Sequence, residues 1–308
     1  MRFKHIFALA LALILVVSAV FVFLFSDEIA VKKTKDEFVI WADSYPLYAL
    51  AGRIVKDVPG MSIIYSLQPQ DEGLEQYTLS DWDKAIISEC DVIMLNGGGY
   101  ESFESDVASG EKPVITAVSG LKYTVDDINV YGNGGGEPIT DPDLYLGIDG
   151  ARQMLEAITA NMLALDEVYT ARYYTNLSEA EAYLYTIEEQ INACKIDTPV
   201  PAAAAHKALY YTAEECGLDC KYIIDREPAS CPGDNELNEI LADLTEAGIS
   251  VLLTEKQAPY EFTAFFEQNG ITVISVNLMT SLTAQDGIEA YGNTLVENAK
   301  TIYTRLTR

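Results

Sequence analysis

The chain has 308 residues and a mass of 33.9 kDa, long enough for two lobes each with a core of its own. A hydrophobic fraction of 49% and a charged fraction of 22% belong to a globular protein and exclude a disordered one. The formal net charge of −27 repels nucleic acid and anionic headgroups and enriches cations at the surface, which argues against a nucleic-acid partner.

Ile6 to Phe25 is an unbroken apolar run preceded by Arg2, Lys4 and His5. At a helical rise of ~1.5 Å such a run spans the ~30 Å hydrocarbon core of a membrane. It is longer than a usual secretory core, and no A-x-A site follows it before Asp27-Glu28. The reading favours an uncleaved N-terminal signal-anchor, with the acidic domain outside the cytoplasm, at the cell surface or in a periplasm. Lys32, Lys33 and Lys35 lie beyond the run, so flanking charge does not set the orientation. No cysteine follows the run closely enough for lipid attachment there.

After a polar tether, Phe38–Asp43 reads as a strand, and the segment from Ser44 to Val58 as a helix with Leu47, Leu50, Ile54 and Val58 on one face. Strands follow at Met61–Leu67, Asp91–Asn96 and Pro113–Val118, with a helix over Ser80–Glu89. This alternation predicts a parallel sheet with helices on both faces. Asp126–Pro142 is turn-rich and reads as a loop. Its GNGGGE run lacks both the Walker lysine and the dinucleotide G-x-G-x-x-G start, so a flexible flap is preferred to a phosphate cradle.

Two helices are predicted next, over Gly150–Leu165 and Glu167–Cys194; the second contains no Gly or Pro and is stopped by Pro199 and Pro201. The strand–helix alternation then resumes. Strands are expected up to Ala205, at Cys220–Asp225, at Ile249–Glu255 and at Ile271–Val276, and a final helix at Gly287–Leu306. The expected fold is α/β, with two lobes of mainly parallel sheet flanked by helices and joined by one long rigid helix. Its divisions are 1–37 for anchor and tether, 38–166 for the first lobe, 167–197 for the linking helix and 198–308 for the second lobe.

His206 is the one histidine outside the N-terminal lead-in, and it stands at a strand-to-helix junction. That is the edge of a parallel sheet where open α/β folds bind ligands. Three carboxylates share the strand-end or loop-exit placement: Glu75 after the second strand, Asp143 leaving the glycine-rich loop, and Glu255 closing a strand. Singly each reads as a solvated surface group. Together the four supply three oxygen ligands and one nitrogen, a plausible set for a divalent metal. Cys194, Cys216, Cys220 and Cys231 cluster in and near the second lobe, and outside the cytoplasm one or two disulfides are expected among them with pairing open.

The order of motifs resembles the metal-specific solute-binding proteins of ABC importers, the zinc/manganese cluster, from about Phe38 to the C-terminus. The resemblance is carried by WADSYPLYALAGRIV, LEQYTLSDWDKAIISECDVIMLNGGGYESF, DPDLYL, LDEVYTARYYTNLSEAEAYLYTIEEQI, AHKALYY and LLTEKQA followed by ITVISV. It implies capture of a divalent transition metal in an inter-lobe cleft and delivery to a permease and ATPase, with no reaction catalysed. Two departures stand out. Glu75 precedes Tyr77 where the family carries a histidine, and Asp143 stands in the family's D-P-H position. His206 and Glu255 hold the third and fourth ligand positions that the resemblance implies. An oxygen-rich set of this kind favours manganese or ferrous iron over zinc. The competing readings are a membrane-anchored adhesin or scaffold with a degenerate site, a metal-dependent hydrolase using Glu75 or Glu255 as base, and an importer component for a non-metal ligand.

Overall fold

A computed structural model describes residues 37–67, 74, 76–117, 129–131, 143–226, 228–279 and 287–308. The expected anchor, Glu75 and most of the glycine-rich loop lie outside the described residues. Strands β1 (Phe38–Ala42), β2 (Met61–Tyr65), β3 (Val92–Leu95) and β4 (Val114–Thr116) form one sheet in the order β2-β1-β3-β4. Strands β5 (Asn129–Val130), β6 (Val200–Ala204), β7 (Leu218–Ile223), β8 (Val251–Glu255) and β9 (Thr272–Val276) form the other, in the order β5-β7-β6-β8-β9. Every pairing is parallel. The central strands β3 and β8 are buried along their whole length, as strands covered on both faces must be.

Helix α1 (Tyr45–Ile54) follows β1 with Pro46 in its first turn, where a missing N–H costs nothing. Helix α2 (Asp81–Glu89) opens on a capping box: the Ser80 hydroxyl accepts from the Asp83 N–H at 3.2 Å, and Asp83 accepts from the Ser80 N–H at 2.8 Å. A short α3 (Glu104–Ala108) follows β3. Helix α4 (Ile148–Leu165) leads into α5 (Thr170–Asn192), the linking element, which runs ~35 Å and begins three residues later than predicted. Asp166 makes the break, accepting from the Val168 N–H at 2.9 Å and from the Tyr173 hydroxyl at 3.1 Å.

Tyr173, Asn176, Ala180, Leu184, Ile187 and Ile191 recur at helical spacing on the buried stripe of α5, which rests on α1, α4 and the final helix α9 (Gly287–Thr307). Within that stripe Asn176 donates to the carbonyls of Ile54 and Lys56 at 2.7 and 2.8 Å, satisfying the open C-terminal end of α1. Helices α5 and α9 approach so closely at Gly292 that a Cβ there would meet the Tyr183 hydroxyl at 2.3 Å. Helices α6 (Leu209–Glu215), α7 (Asp234–Glu246) and α8 (Tyr260–Gln268) complete the second lobe.

Three details differ from expectation. The turn-rich segment contains β5, which pairs with β7 and so belongs to the second sheet although it precedes α4. Pro201 does not merely stop a helix; it stands inside β6, opposite Asp219 of β7 and one residue before pairing with β8 begins at Ala202. With one neighbour at that level, the strand tolerates the missing N–H. The disulfide expectation is corrected: all five cysteines are free thiols. Cys216 and Cys220 are core residues, and burial pushes both thiols up to about 12, which keeps them protonated and unreactive.

Candidate metal centre

Both sheets point their carboxyl ends at a recess to which the two lobes contribute. Its wall is made by Ser44 and Tyr45 after β1, Tyr65 from β2, Tyr100 after β3, Tyr145, and Met279 after β9. Tyr145 lies on a single 3-10 turn (Leu144–Leu146) that Asp143 introduces, the Leu146 N–H bonding back to the Asp143 carbonyl at 3.0 Å.

Asp143 is buried, with 2% of its surface exposed, and its carboxylate is hydrogen-bonded to the Tyr145 phenol. Burial first, and then the Asp143 charge, hold that phenol well above its ordinary pKa, so Tyr145 stays a donor. The Tyr100 hydroxyl stands 3.3 Å from that of Tyr145, and the Leu278 carbonyl is 3.5 Å away. The phenol has one proton to place among these acceptors. The Tyr291 hydroxyl fixes the other end of the turn by donating to the Tyr145 carbonyl. Sequence reasoning missed this phenolic scaffold. The signal was present as the D-L-Y spacing after Pro142.

His206 follows β6 as predicted and is 6% exposed. Its Nδ1 accepts from the Ala208 N–H at 3.2 Å, which makes Nε2 the protonated nitrogen in the neutral tautomer. A metal taken at Nε2 would move that proton and turn the ring away from Ala208.

Glu255 is in a different situation. Arg226 donates through Nη2 to Glu255 Oε1 at 2.6 Å and to Thr254 Oγ1 at 3.0 Å, and through Nη1 to the Ser230 carbonyl at 2.8 Å. The Ala229 N–H donates to the same Glu255 oxygen at 3.1 Å, and Thr254 donates to the other at 3.1 Å. The guanidinium stacks over Phe262 at 4.1 Å, and the two charged side chains are 4% and 1% exposed. This is a sealed ion pair. Among the described residues no three His, Cys, Asp or Glu side chains gather closely enough to hold a metal ion, so Asp143, His206 and Glu255 do not by themselves make a site. Glu75 falls outside the described residues.

The first lobe has a buried acidic pair that sequence reasoning also missed. Asp43, at the end of β1, accepts from the Asn96 N–H, and Glu101 accepts from the Gly97 N–H at 3.1 and 3.3 Å. Gly97, Gly98 and Gly99 all have φ between +76° and +85°, a run that only glycine adopts without strain and that turns the chain so Glu101 faces back to the strand ends. Burial, and next the Glu101 charge, hold Asp43 well above the usual carboxylate range. The acid form of Asp43 is thereby favoured, with Glu101 as its side-chain hydrogen-bond neighbour.

Two parallel α/β lobes joined by a long helix place the strand ends of both sheets where a ligand can be held between them. The chain belongs to the family described as zinc-uptake complex component A, periplasmic, whose profile matches residues 40–305. That family comprises metal-binding solute-binding proteins of ABC import, which act outside the cytoplasm with a permease and an ATPase and are not enzymes. No curated protein sequence matches the chain.

Among solved structures, the chain is similar to the solute-binding protein FpvC of Pseudomonas aeruginosa in complex with Mn2+. The TM-score is 0.75 at 20% identity, covering 88% of this chain and 99% of that one. It is also similar to AdcAII of Streptococcus pneumoniae, at TM-score 0.66 and 18% identity over 88% and 100% of the two chains. The laminin-binding protein Lmb of Streptococcus agalactiae, described as bifunctional with adhesin and metal-transporting activity, is similar at TM-score 0.68 and 18% identity over 87% and 99%. At these identities the likeness is one of fold.

Proposed function

We propose that this chain captures manganese or ferrous iron in preference to zinc and delivers it to its permease from a membrane-anchored position, Ile6–Phe25 being the anchor. The cargo ion is taken by Glu75, Asp143 and His206, with Glu255 joining only when the Arg226 pair opens. The lobes are 38–166 and 198–308 with 167–197 linking them, except that β5 crosses from the first range to the second sheet; the ion sits between the lobes.

The observation that carries this reading is Asp143. It is a buried carboxylate at the cleft, oriented by a phenol that is itself braced by Tyr100 and Tyr291. An anionic oxygen ligand so fixed suits a hard cation, and a single imidazole beside it weakens the case for zinc. The family match supports the importer role, and FpvC, a structural neighbour, is described in complex with Mn2+.

Calorimetric titration of the purified chain with manganese and with zinc tests it. Wild type is expected to bind one manganese ion, Asp143→Asn and His206→Ala to lose that binding, and Glu255→Gln to change it less than tenfold. Stoichiometric manganese binding that survives both Asp143→Asn and His206→Ala would overturn the ligand set.

A further inference from the structure

Away from the cleft, an open groove of about 570 Å³ lies between β9 and the C-terminal half of α9, lined among others by Val273, Ser275, Glu297, Lys300, Arg305 and Arg308. Strand β9 is the last strand of its sheet, and no strand among the described residues pairs with its outer side. The direction of its backbone groups follows from two bonds. The Thr272 N–H donates to the Ser250 carbonyl at 2.8 Å, and the Val276 carbonyl accepts from the Lys256 N–H at 2.9 Å. In a parallel ladder alternate residues serve one neighbour, so Thr272, Ile274 and Val276 face β8. Val273 and Ser275 direct their N–H and C=O groups into the groove.

The charge of the groove runs against that of the chain. The whole sequence has 20 basic and 47 acidic residues, whereas this lining has three cations and one carboxylate, with Glu267 at the rim. Lys300 pairs with Glu297 at 2.8 Å and Arg305 with Glu267 at 3.7 Å. All four side chains are about half exposed or more, so these pairs are weak and exchangeable. At physiological ionic strength charges beyond ~8 Å are largely screened, so a ligand in the groove responds to these cations rather than to the distant acidic surface.

We propose that the β9 edge and the basic flank of α9 form a docking groove for an extended, acidic segment of a partner protein, which adds to the second sheet as a further strand. The backbone groups of Val273 and Ser275 give the register, and Lys300, Arg305 and Arg308 select carboxylates. A nucleic-acid strand offers no backbone N–H and C=O ladder to match. Basic residues on an edge can also serve only to prevent aggregation, which is the outcome the test must separate.

Fluorescence anisotropy of the full chain with a labelled peptide of alternating valine and glutamate, and with its valine–lysine counterpart, makes the separation. The acidic peptide should bind and the basic one should not. The double variant Lys300→Glu/Arg305→Glu should weaken binding by roughly tenfold or more. Ser275→Pro removes only an outward N–H, which an edge strand tolerates, and should weaken binding several-fold while thermal unfolding and metal binding stay unchanged. Equal binding of both peptides, no binding of either, or indifference to both variants overturns the proposal. Self-association of the chain that Ser275→Pro abolishes overturns it too, by giving the edge to a second copy.

Discussion

Each lobe buries a carboxylate at the carboxyl end of a central strand, and the two lobes surround it in opposite ways. In the first lobe Asp43 is held well above the usual carboxylate range, by burial first and then by the Glu101 charge. In the second, Glu255 is paired with Arg226 at 2.6 Å, with Phe262 over the guanidinium. The comparison teaches that the first-lobe carboxylate is governed by burial and a like charge, and the second-lobe one by an opposite charge at hydrogen-bond distance. Asp143 has a phenol as its partner.

The largest expected effect tests the second-lobe side. Arg226→Met strands a buried Glu255 charge and should cost about 3–5 kcal/mol in urea unfolding. The double variant Arg226→Met/Glu255→Gln should recover most of that loss. Failure to recover it would mean that Arg226 acts through Phe262 and Ser230 rather than through the ion pair.

A half-buried carboxylate sharpens the contrast. Glu215, on α6, accepts from the Ile148 N–H at the start of α4, and burial raises it to about 7, with Asp149 and Glu188 adding to the shift and Arg152 opposing it. A folded-state pKa above the unfolded one means that the native state holds the proton more tightly. The contribution to stability is therefore fully present below 4.5 and is lost as pH rises through about 7. Glu215→Gln should flatten that slope and gain up to about 3 kcal/mol above neutral pH, read from unfolding midpoints across pH 4 to 8 on the order of one unit apart. An unchanged slope would remove Glu215 from the account.

Asn176→Ala should cost about 1–3 kcal/mol, because the two carbonyls at the end of α1 are left without their donor. The smallest effect is expected at the first-lobe pair. Asp43→Asn can still accept from Asn96 and donate to Glu101, so at pH 5 it should change stability by less than about 1 kcal/mol. The raised Asp43 pKa again places the native advantage at low pH, so this variant should gain on wild type as pH rises. A large loss at pH 5 would show that the acid form of Asp43 is not favoured there.

Much of the fold was legible because it depends on local pattern. The continuous apolar runs at Phe38, Val92 and Val251 became buried parallel strands, and the predicted face of Leu47, Leu50, Ile54 and Val58 is buried. Strand β5 was hidden because two residues in a turn-rich segment have no periodicity to detect. His206 stands buried just after β6 and Asp143 just before the 3-10 turn, the placements that the sequence pattern suggested. The Arg226–Glu255 pair was not suggested, since it joins residues 29 apart through a turn with Asp225 and Ala229 at φ of +54° and +58°. A glutamate closing a fully apolar strand does demand a cationic partner, and that demand was the available clue. The Asp43–Glu101 pair depends on the left-handed glycine run, whose direction a sequence motif does not give.

The central claim is that the cleft is an oxygen-rich site for manganese or iron. Elemental analysis of the chain, produced without chelators under equal supply of manganese, iron and zinc, tests it most directly. The account predicts about one equivalent of manganese or iron per chain, lost in His206→Ala. A full equivalent of zinc, or an empty protein indifferent to that substitution, would contradict it.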